Sequence, residues 1–288
     1  MSLPFQHTLK KEVSCEGIGL HSGEKITMTL RPAVEGTGVR FVRRDVSGFD
    51  REVIADYRNV VDTNLGTTLS NADGTMVSTV EHLMAAFWGC NLDNVIVELD
   101  GPEIPIMDGS AEPFVFLIEC AGIEKQKQQR RVIEALKHVE VRDKDKHVSI
   151  TPADKFSVSL EIDFDSKVIS NQRAVFDSSD ISFKTDLCRA RTFGFEHEVS
   201  YLQSKGLARG GSLDNAIVVS GDKVLNKGGL RYANEFVRHK ILDCIGDFYL
   251  SGALVTACFS GYRSGHDLNN RLLRAFFADR DAWRVVGS

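Results

Sequence analysis

Two short segments of this chain carry residue types that together could hold and use a metal ion. Glu81-His82 offers an imidazole beside a carboxylate, and His239-Lys240-Ile241-Leu242-Asp243 offers an imidazole and a second carboxylate. Residues four apart share one face of a helix, so His239 and Asp243 can point at the same ion. With His82 the set is two histidines and a carboxylate, and a fourth position is left for water. That is the ligand count of a catalytic zinc site, which stays open where a structural site is closed. Glu81, next to His82, could take a proton from that water. The H-x-x-x-D spacing also arises by accident, and the alternative reading is a solvated i,i+4 pair worth a few tenths of a kcal/mol.

These groups need elements to position them. Ser78-Thr79 is a natural N-cap, so a helix is expected to carry Glu81 to Trp88 and to stop at Gly89. Before it, residues 25–30 and 39–42 alternate like half-buried strands; after it come a strand over 94–99 and a helix over 111–121 ended by Gly122. The stretch EKQKQQRR at 124–131 has no apolar periodicity and reads as a boundary. Beyond it strands are expected over 131–134, 137–141, 147–151 and 156–164, then a helix over 197–205 and a strand over 215–219. A long helix over 234–250, a strand over 253–260 and a helix over 268–277 complete the chain. Both halves thus start β-rich and continue helix, strand, helix. The expected fold is α+β, with two similar domains, 1–126 and 130–288, facing each other across the site. There is no residue-level repeat, so this duplication rests on element order alone.

The bulk properties narrow the field. The chain has 288 residues, 42% hydrophobic and 26% charged, an ordinary globular composition. A net charge of −5 and a pI near 5.9 argue against nucleic-acid binding. The N-terminus lacks the apolar core of a signal peptide, and no apolar run approaches the roughly 20 residues that span a bilayer. Six cysteines, at 15, 90, 120, 188, 244 and 258, are scattered without a C-x-x-C pair, which fits reduced thiols in a cytoplasmic protein.

Several longer motifs point further. Gly19-Leu20-His21-Ser22-Gly23 stands near the start, followed by Thr79-Val80-Glu81-His82-Leu83 and Pro105-Ile106-Met107-Asp108-Gly109-Ser110-Ala111. Arg189-Ala190-Arg191-Thr192-Phe193-Gly194-Phe195, Glu235 to Asp243 and Ser264-Gly265-His266 follow. Each alone is weak, but in this order, from about Thr8 to Trp283, the chain closely resembles the UDP-3-O-acyl-N-acetylglucosamine deacetylases, zinc amidases of bacterial lipid A biosynthesis. Members of that family carry a longer C-terminal tail, so a shortened end is expected here.

The resemblance implies one catalytic Zn2+, with Fe2+ possible in the cell, on His82, His239 and Asp243. It implies Glu81 as general base, His266 as the second catalytic group, Thr192 beside the oxyanion and Asp247 as the carboxylate that orients His266. For the substrate, an acylated UDP-amino sugar, it implies contacts from Lys240, Phe193, Lys146, Asp163, Phe164 and Arg263, the last where a lysine is usual. The segment 193–219 resembles the insert that forms an acyl passage, lined by Val199, Leu202, Ala208, Leu213 and Val218 and closed by Leu20. Glu196-His197-Glu198, with Ala208 and Leu213, departs from the common pattern and leaves the preferred acyl length open, and Asp267, where a small residue is common, adds a negative charge near His266. His7, His21, His138, His147 and His197 are expected to be structural or exposed, and a monomer is expected. Two alternatives stay open: a zinc amidase for another N-acetyl compound, and a non-catalytic protein such as a nucleotide-sugar binder, which would show a closed ligand set or a missing base, whereas Glu81 and His266 are both present.

Overall fold

Alternation at period two sets the sheets. Ile26, Met28 and Leu30 are all buried on one face of the strand Lys25–Pro32, while their neighbours are not. The computed structural model describes residues 5–48, 50–178 and 183–287. Among these are five α-helices: α1 (Glu81–Gly89), α2 (Glu112–Ala121), α3 (Glu196–Ser204), α4 (Glu235–Tyr249) and α5 (His266–Ala278). The expected helices therefore stand within two residues of their predicted bounds.

The two halves repeat one strand plan. In the first, the order is Val13–Ile18, Lys25–Pro32, Val95–Leu99, Val39–Arg43, Glu52–Ile54, paired antiparallel, antiparallel, parallel, antiparallel. In the second, Val139–Asp143, Lys146–Pro152, Leu254–Tyr262, Ser157–Asp163 and Asn171–Asp177 pair in the same sequence of senses. Each central strand is preceded by a helix, α1 or α4, and followed by another, α2 or α5. The duplication read from element order is thus present in the hydrogen-bonding. The second sheet is extended by Val132–Ala135 and Trp283–Val286.

The charged stretch at 124–131 carries a strand that no apolar period announced: Ile123–Gln129 pairs antiparallel with Phe5–Leu9. Most of its polar side chains are exposed, but Gln126 Oε1 accepts from Asn94 Nδ2 at 2.7 Å and Gln126 Nε2 donates to the Ala33 carbonyl at 3.0 Å. One expectation fails: Ser78 and Thr79 do not cap α1. The N-cap is Val80, with no side-chain bond, and Thr79 is left-handed at φ 58° with its hydroxyl on Glu103.

Helices α1 and α4 pack against each other. Every residue of α4 except Arg238 and Lys240 is buried, as expected of a central helix. Gly246 permits the contact: a Cβ there would lie 2.0 Å from the Glu81 carbonyl oxygen. Any side chain would push the two helices apart.

Candidate metal centre and catalytic pair

Charged side chains inside a core are rare unless paired or ligating. Yet Glu81 and His82 on α1, and His239, Asp243 and Asp247 on α4, are each at least 95% buried. The ligand atoms of His82, His239 and Asp243 lie within 4.8 Å of one another. Asp243 Oδ1 is 3.4 Å from His82 Nε2 and 3.3 Å from His239 Nε2, and the two rings meet edge to face at 4.9 Å.

This group fits a cation in three ways. Asp243 Oδ1 is buried and accepts no hydrogen bond, while Oδ2 is held by Lys240 Nζ at 2.9 Å, so one oxygen is anchored and the other faces the two imidazoles. His239 Nδ1–H donates to the Ala190 carbonyl at 3.0 Å, which turns the Nε2 lone pair toward Asp243, the tautomer a metal-binding histidine needs. The titration preferences agree. Burial, opposed by Asp243, holds His239 down to about 4, so it is neutral. Burial alone would raise Asp243, but His239 and Lys240 outweigh it and keep the carboxyl well below its usual range.

The second cluster lies beside the first. Glu81 Oε1 is 3.9 Å from His266 Nε2, and Glu81 Oε2 accepts from the Thr67 amide at 2.9 Å. His266 Nδ1–H donates to Asp247 Oδ2 at 2.9 Å. That same oxygen accepts from Asn269 Nδ2 at 2.8 Å, and Oδ1 from the Thr67 hydroxyl at 2.6 Å. Burial works against a charge on His266, but Asp247 and Glu81 prevail and raise it to about 9. Burial likewise raises Glu81, opposed by the positive charge of His266. The pair is thus tuned towards a shared proton: a basic carboxylate next to a cationic imidazole.

A cleft of about 660 Å³ opens over these groups. Thr192, Phe193, His239, Lys240, Asp243 and His266 line it, together with Lys146, Phe164 and Arg263. Asp163 sits in an adjoining recess of about 180 Å³ with Lys146, Lys240 and Arg263, its carboxylate accepting from the Tyr262 hydroxyl at 3.2 Å. Arg263 is paired with Asp145 at 2.7 Å. The Phe164 ring meets Phe193 edge to face at 5.7 Å.

The six residues expected along an acyl passage are less tightly gathered. Helix α3 has no buried residue; Val199 and Leu202 are half-buried, as is Val218 on the neighbouring strand Ile217–Ser220. Leu213 is 48% exposed. Leu20 meets the segment near Ala208, its carbonyl accepting from the Gly210 amide at 3.0 Å. The insert joins the cleft through Phe193, Phe195 and Glu198.

Several residues were invisible to spacing arguments. Thr67 and Asn269 have no local pattern, and Thr67 meets Asp247 from 180 positions away. The Arg189–Phe195 motif is fixed by Glu235, fully buried, whose carboxylate pairs with Arg191 at 2.9 Å and accepts from the Arg231 amide at 2.6 Å. That pairing sets Ala190 against His239 and Thr192 in the cleft wall. The one available signal was Gly246, a glycine in mid-helix between two aspartates, which costs about 1 kcal/mol relative to alanine unless packing demands it.

The chain is similar to known proteins over nearly its whole length. The family model for UDP-3-O-acyl N-acetylglycosamine deacetylase matches residues 6–278. The UDP-3-O-acyl-N-acetylglucosamine deacetylase of Phenylobacterium zucineum (strain HLK1) is 50% identical over 281 residues, 98% of this chain and 96% of that protein. Proteins of the same name from Acidithiobacillus ferrooxidans (strain ATCC 53993 / BNL-5-31) and Vibrio parahaemolyticus serotype O3:K6 (strain RIMD 2210633) are 52% and 50% identical. They cover 98% and 96% of this chain and 92% of each relative.

Proposed function

This chain belongs to the UDP-3-O-acyl N-acetylglycosamine deacetylase family, and from that premise we propose that it hydrolyses the N-acetyl group of a UDP-3-O-acyl-N-acetylglucosamine. The products are acetate and the free 2-amine, at the lipid A step. The carrying observation is the unpartnered Asp243 Oδ1 facing two histidine Nε2 atoms, with Glu81 and His266 beside it.

His82, His239 and Asp243 hold the ion, which we take to be zinc; iron(II) suits two nitrogens and an oxygen nearly as well. When bound, such an ion lowers the pKa of water towards about 7 and polarises the amide carbonyl. Glu81, fixed by the Thr67 amide, accepts the proton of the attacking water. Its raised affinity for protons suits a group that must take one up near neutral pH. His266, held cationic by Asp247, faces the developing negative charge and the departing amine. The Thr192 hydroxyl stands in the cleft wall as a donor for the oxyanion. Lys240, Lys146 and Arg263 offer charge to the diphosphate, with Asp163 and Phe164 beside them for the nucleoside. Phe193 and the insert residues Val199, Leu202, Ala208, Leu213 and Val218, with Leu20, take the acyl chain. We further assign the halves 1–126 and 130–288 as two domains closing on the site, in a monomer. Six thiols without a disulfide support a cytoplasmic setting. No helix of the described residues is long and apolar enough to cross a membrane.

Acetate release from an acylated UDP-N-acetylglucosamine, measured with and without a chelator, tests this reading. Release that is lost with the chelator and restored by added zinc supports it. Release by the verified metal-free protein contradicts it.

A further inference from the structure

His21 stands where the acyl-binding insert meets the catalytic pair. Its main chain is pinned: the His21 and Ser22 amides each donate to the buried Glu103 carboxylate at 2.9 Å, which also accepts from the Thr79 hydroxyl at 3.0 Å. Gly19 makes that approach possible, since a Cβ there would lie 2.4 Å from Glu103 Oε2. From this fixed base the ring reaches in two directions. Nδ1 accepts from the Ala208 amide and Nε2–H donates to the Leu65 carbonyl, each at 3.3 Å. An amide only donates and a carbonyl only accepts, so a neutral ring protonated on Nε2 satisfies both.

The two neighbours do different things. Ala208 belongs to the insert, and the adjoining Arg209 amide also donates to the His21 carbonyl at 3.3 Å. Leu65 lines the cleft, is left-handed at φ 62°, and lies two residues before Thr67. Thr67 touches both sides of the catalytic pair, its amide donating to Glu81 and its hydroxyl to Asp247, the carboxylate that holds His266. A chain of direct contacts therefore runs from the insert through His21 and the 65–67 loop to the base and to the carboxylate that orients His266.

We propose that His21 is a positioning residue that couples the insert to the catalytic pair, so that a seated acyl chain raises kcat as well as lowering KM. The inference rests on the acyl-passage reading above. Interactions remote from the reacting bond raise kcat only where they are stronger in the transition state, and holding the catalytic groups in their productive geometry is one way to make them so. Misplacing such a group by 1 Å costs roughly 100-fold.

The test compares kcat and KM for acylated and unacylated UDP-N-acetylglucosamine in wild type, His21→Phe, His21→Ala and His21→Gln. Bound metal and circular dichroism are measured on each. Wild-type acetate release on the acylated substrate checks the function itself, independently of the coupling. We expect wild type to show a higher kcat with the acylated substrate. His21→Phe keeps the ring volume without either nitrogen and should lose most of that kcat advantage, roughly 100-fold at most, while retaining the KM difference and the metal. His21→Ala should do the same without crowding, which guards against a misfolded Phe variant. His21→Gln, with one acceptor and one donor, should recover much of the advantage. A wild-type kcat independent of the acyl chain would overturn the proposal. So would equal losses on both substrates, or an unchanged advantage in the folded Phe or Ala variant.

Discussion

The α1–α4 contact and the α3 insert are built on opposite principles. On α1 and α4 every ionisable group but Arg238 and Lys240 is buried, and each hydrogen-bonding oxygen of Glu81, Asp243 and Asp247 has a partner except those facing the two imidazoles or His266. Around α3 no helix residue is buried, and Tyr201 and Leu213 are 64% and 48% exposed. Groups that perform chemistry need fixed geometry, which only a packed core supplies. A surface that receives a flexible chain can be more loosely held. Substitutions in the first region should therefore act on kcat and stability, and those in the second on substrate preference.

The sharpest way to break that contrast is Glu81→Ala. Loss of a general base should lower kcat by between about 10² and 10⁴-fold with the metal retained. A variant with near-normal acetate release would remove Glu81 from the mechanism. Gly246→Ala comes next. Helix propensity alone favours alanine, but a Cβ 2.0 Å from the Glu81 carbonyl must separate the helices. We expect a loss of about 1–3 kcal/mol, seen as a lower Tm in thermal unfolding, together with reduced kcat. A more stable variant would show that this contact is looser than described.

The pH profile separates the role proposed for His266 from that proposed for Glu81. His266 is raised to about 9, with Asp247 and Glu81 overcoming the effect of burial. Its cationic form is present below that pH and lost above it, so activity should fall on the basic side near pH 9. His266→Ala should remove that limb, and Asp247→Asn should move it to lower pH, because the charge that favours protonation is gone. A basic limb that stays in place in both variants would assign it to another group.

The smallest effect on chemistry is expected from Ala208→Phe in the insert. Each buried methylene contributes about 0.8 kcal/mol, so blocking the passage should lower kcat/KM for the acylated substrate far more than for an unacylated one. Metal content should be unchanged. An equal effect on both substrates would place the acyl chain elsewhere.

The same contrast explains what could be read from the sequence. Helical spacing located α4 and the His239–Asp243 pair, because i,i+4 geometry is local. The motifs, taken in order, pointed to Thr192 and His266, which spacing alone did not, while Asp247 came from its place two turns beyond His239 on the same helix face together with the family resemblance. Thr67 and Asn269 escaped because their partners lie in distant segments and a single threonine or asparagine has no signature. The strand at 123–129 escaped because its side chains are polar on both faces, so the usual alternation is absent. The capping role given to Ser78 and Thr79 failed because Glu103 claims the Thr79 hydroxyl. His21, expected to be structural or exposed, carries contacts to both regions at once.

The central claim is that one metal ion sits on His82, His239 and Asp243 and that activity depends on it. Metal analysis of wild type, His82→Ala and His239→Ala, each assayed for acetate release, tests it most directly. The account predicts one bound equivalent in wild type and a large loss of both metal and activity in each variant. Variants that keep a full equivalent and full activity would contradict it.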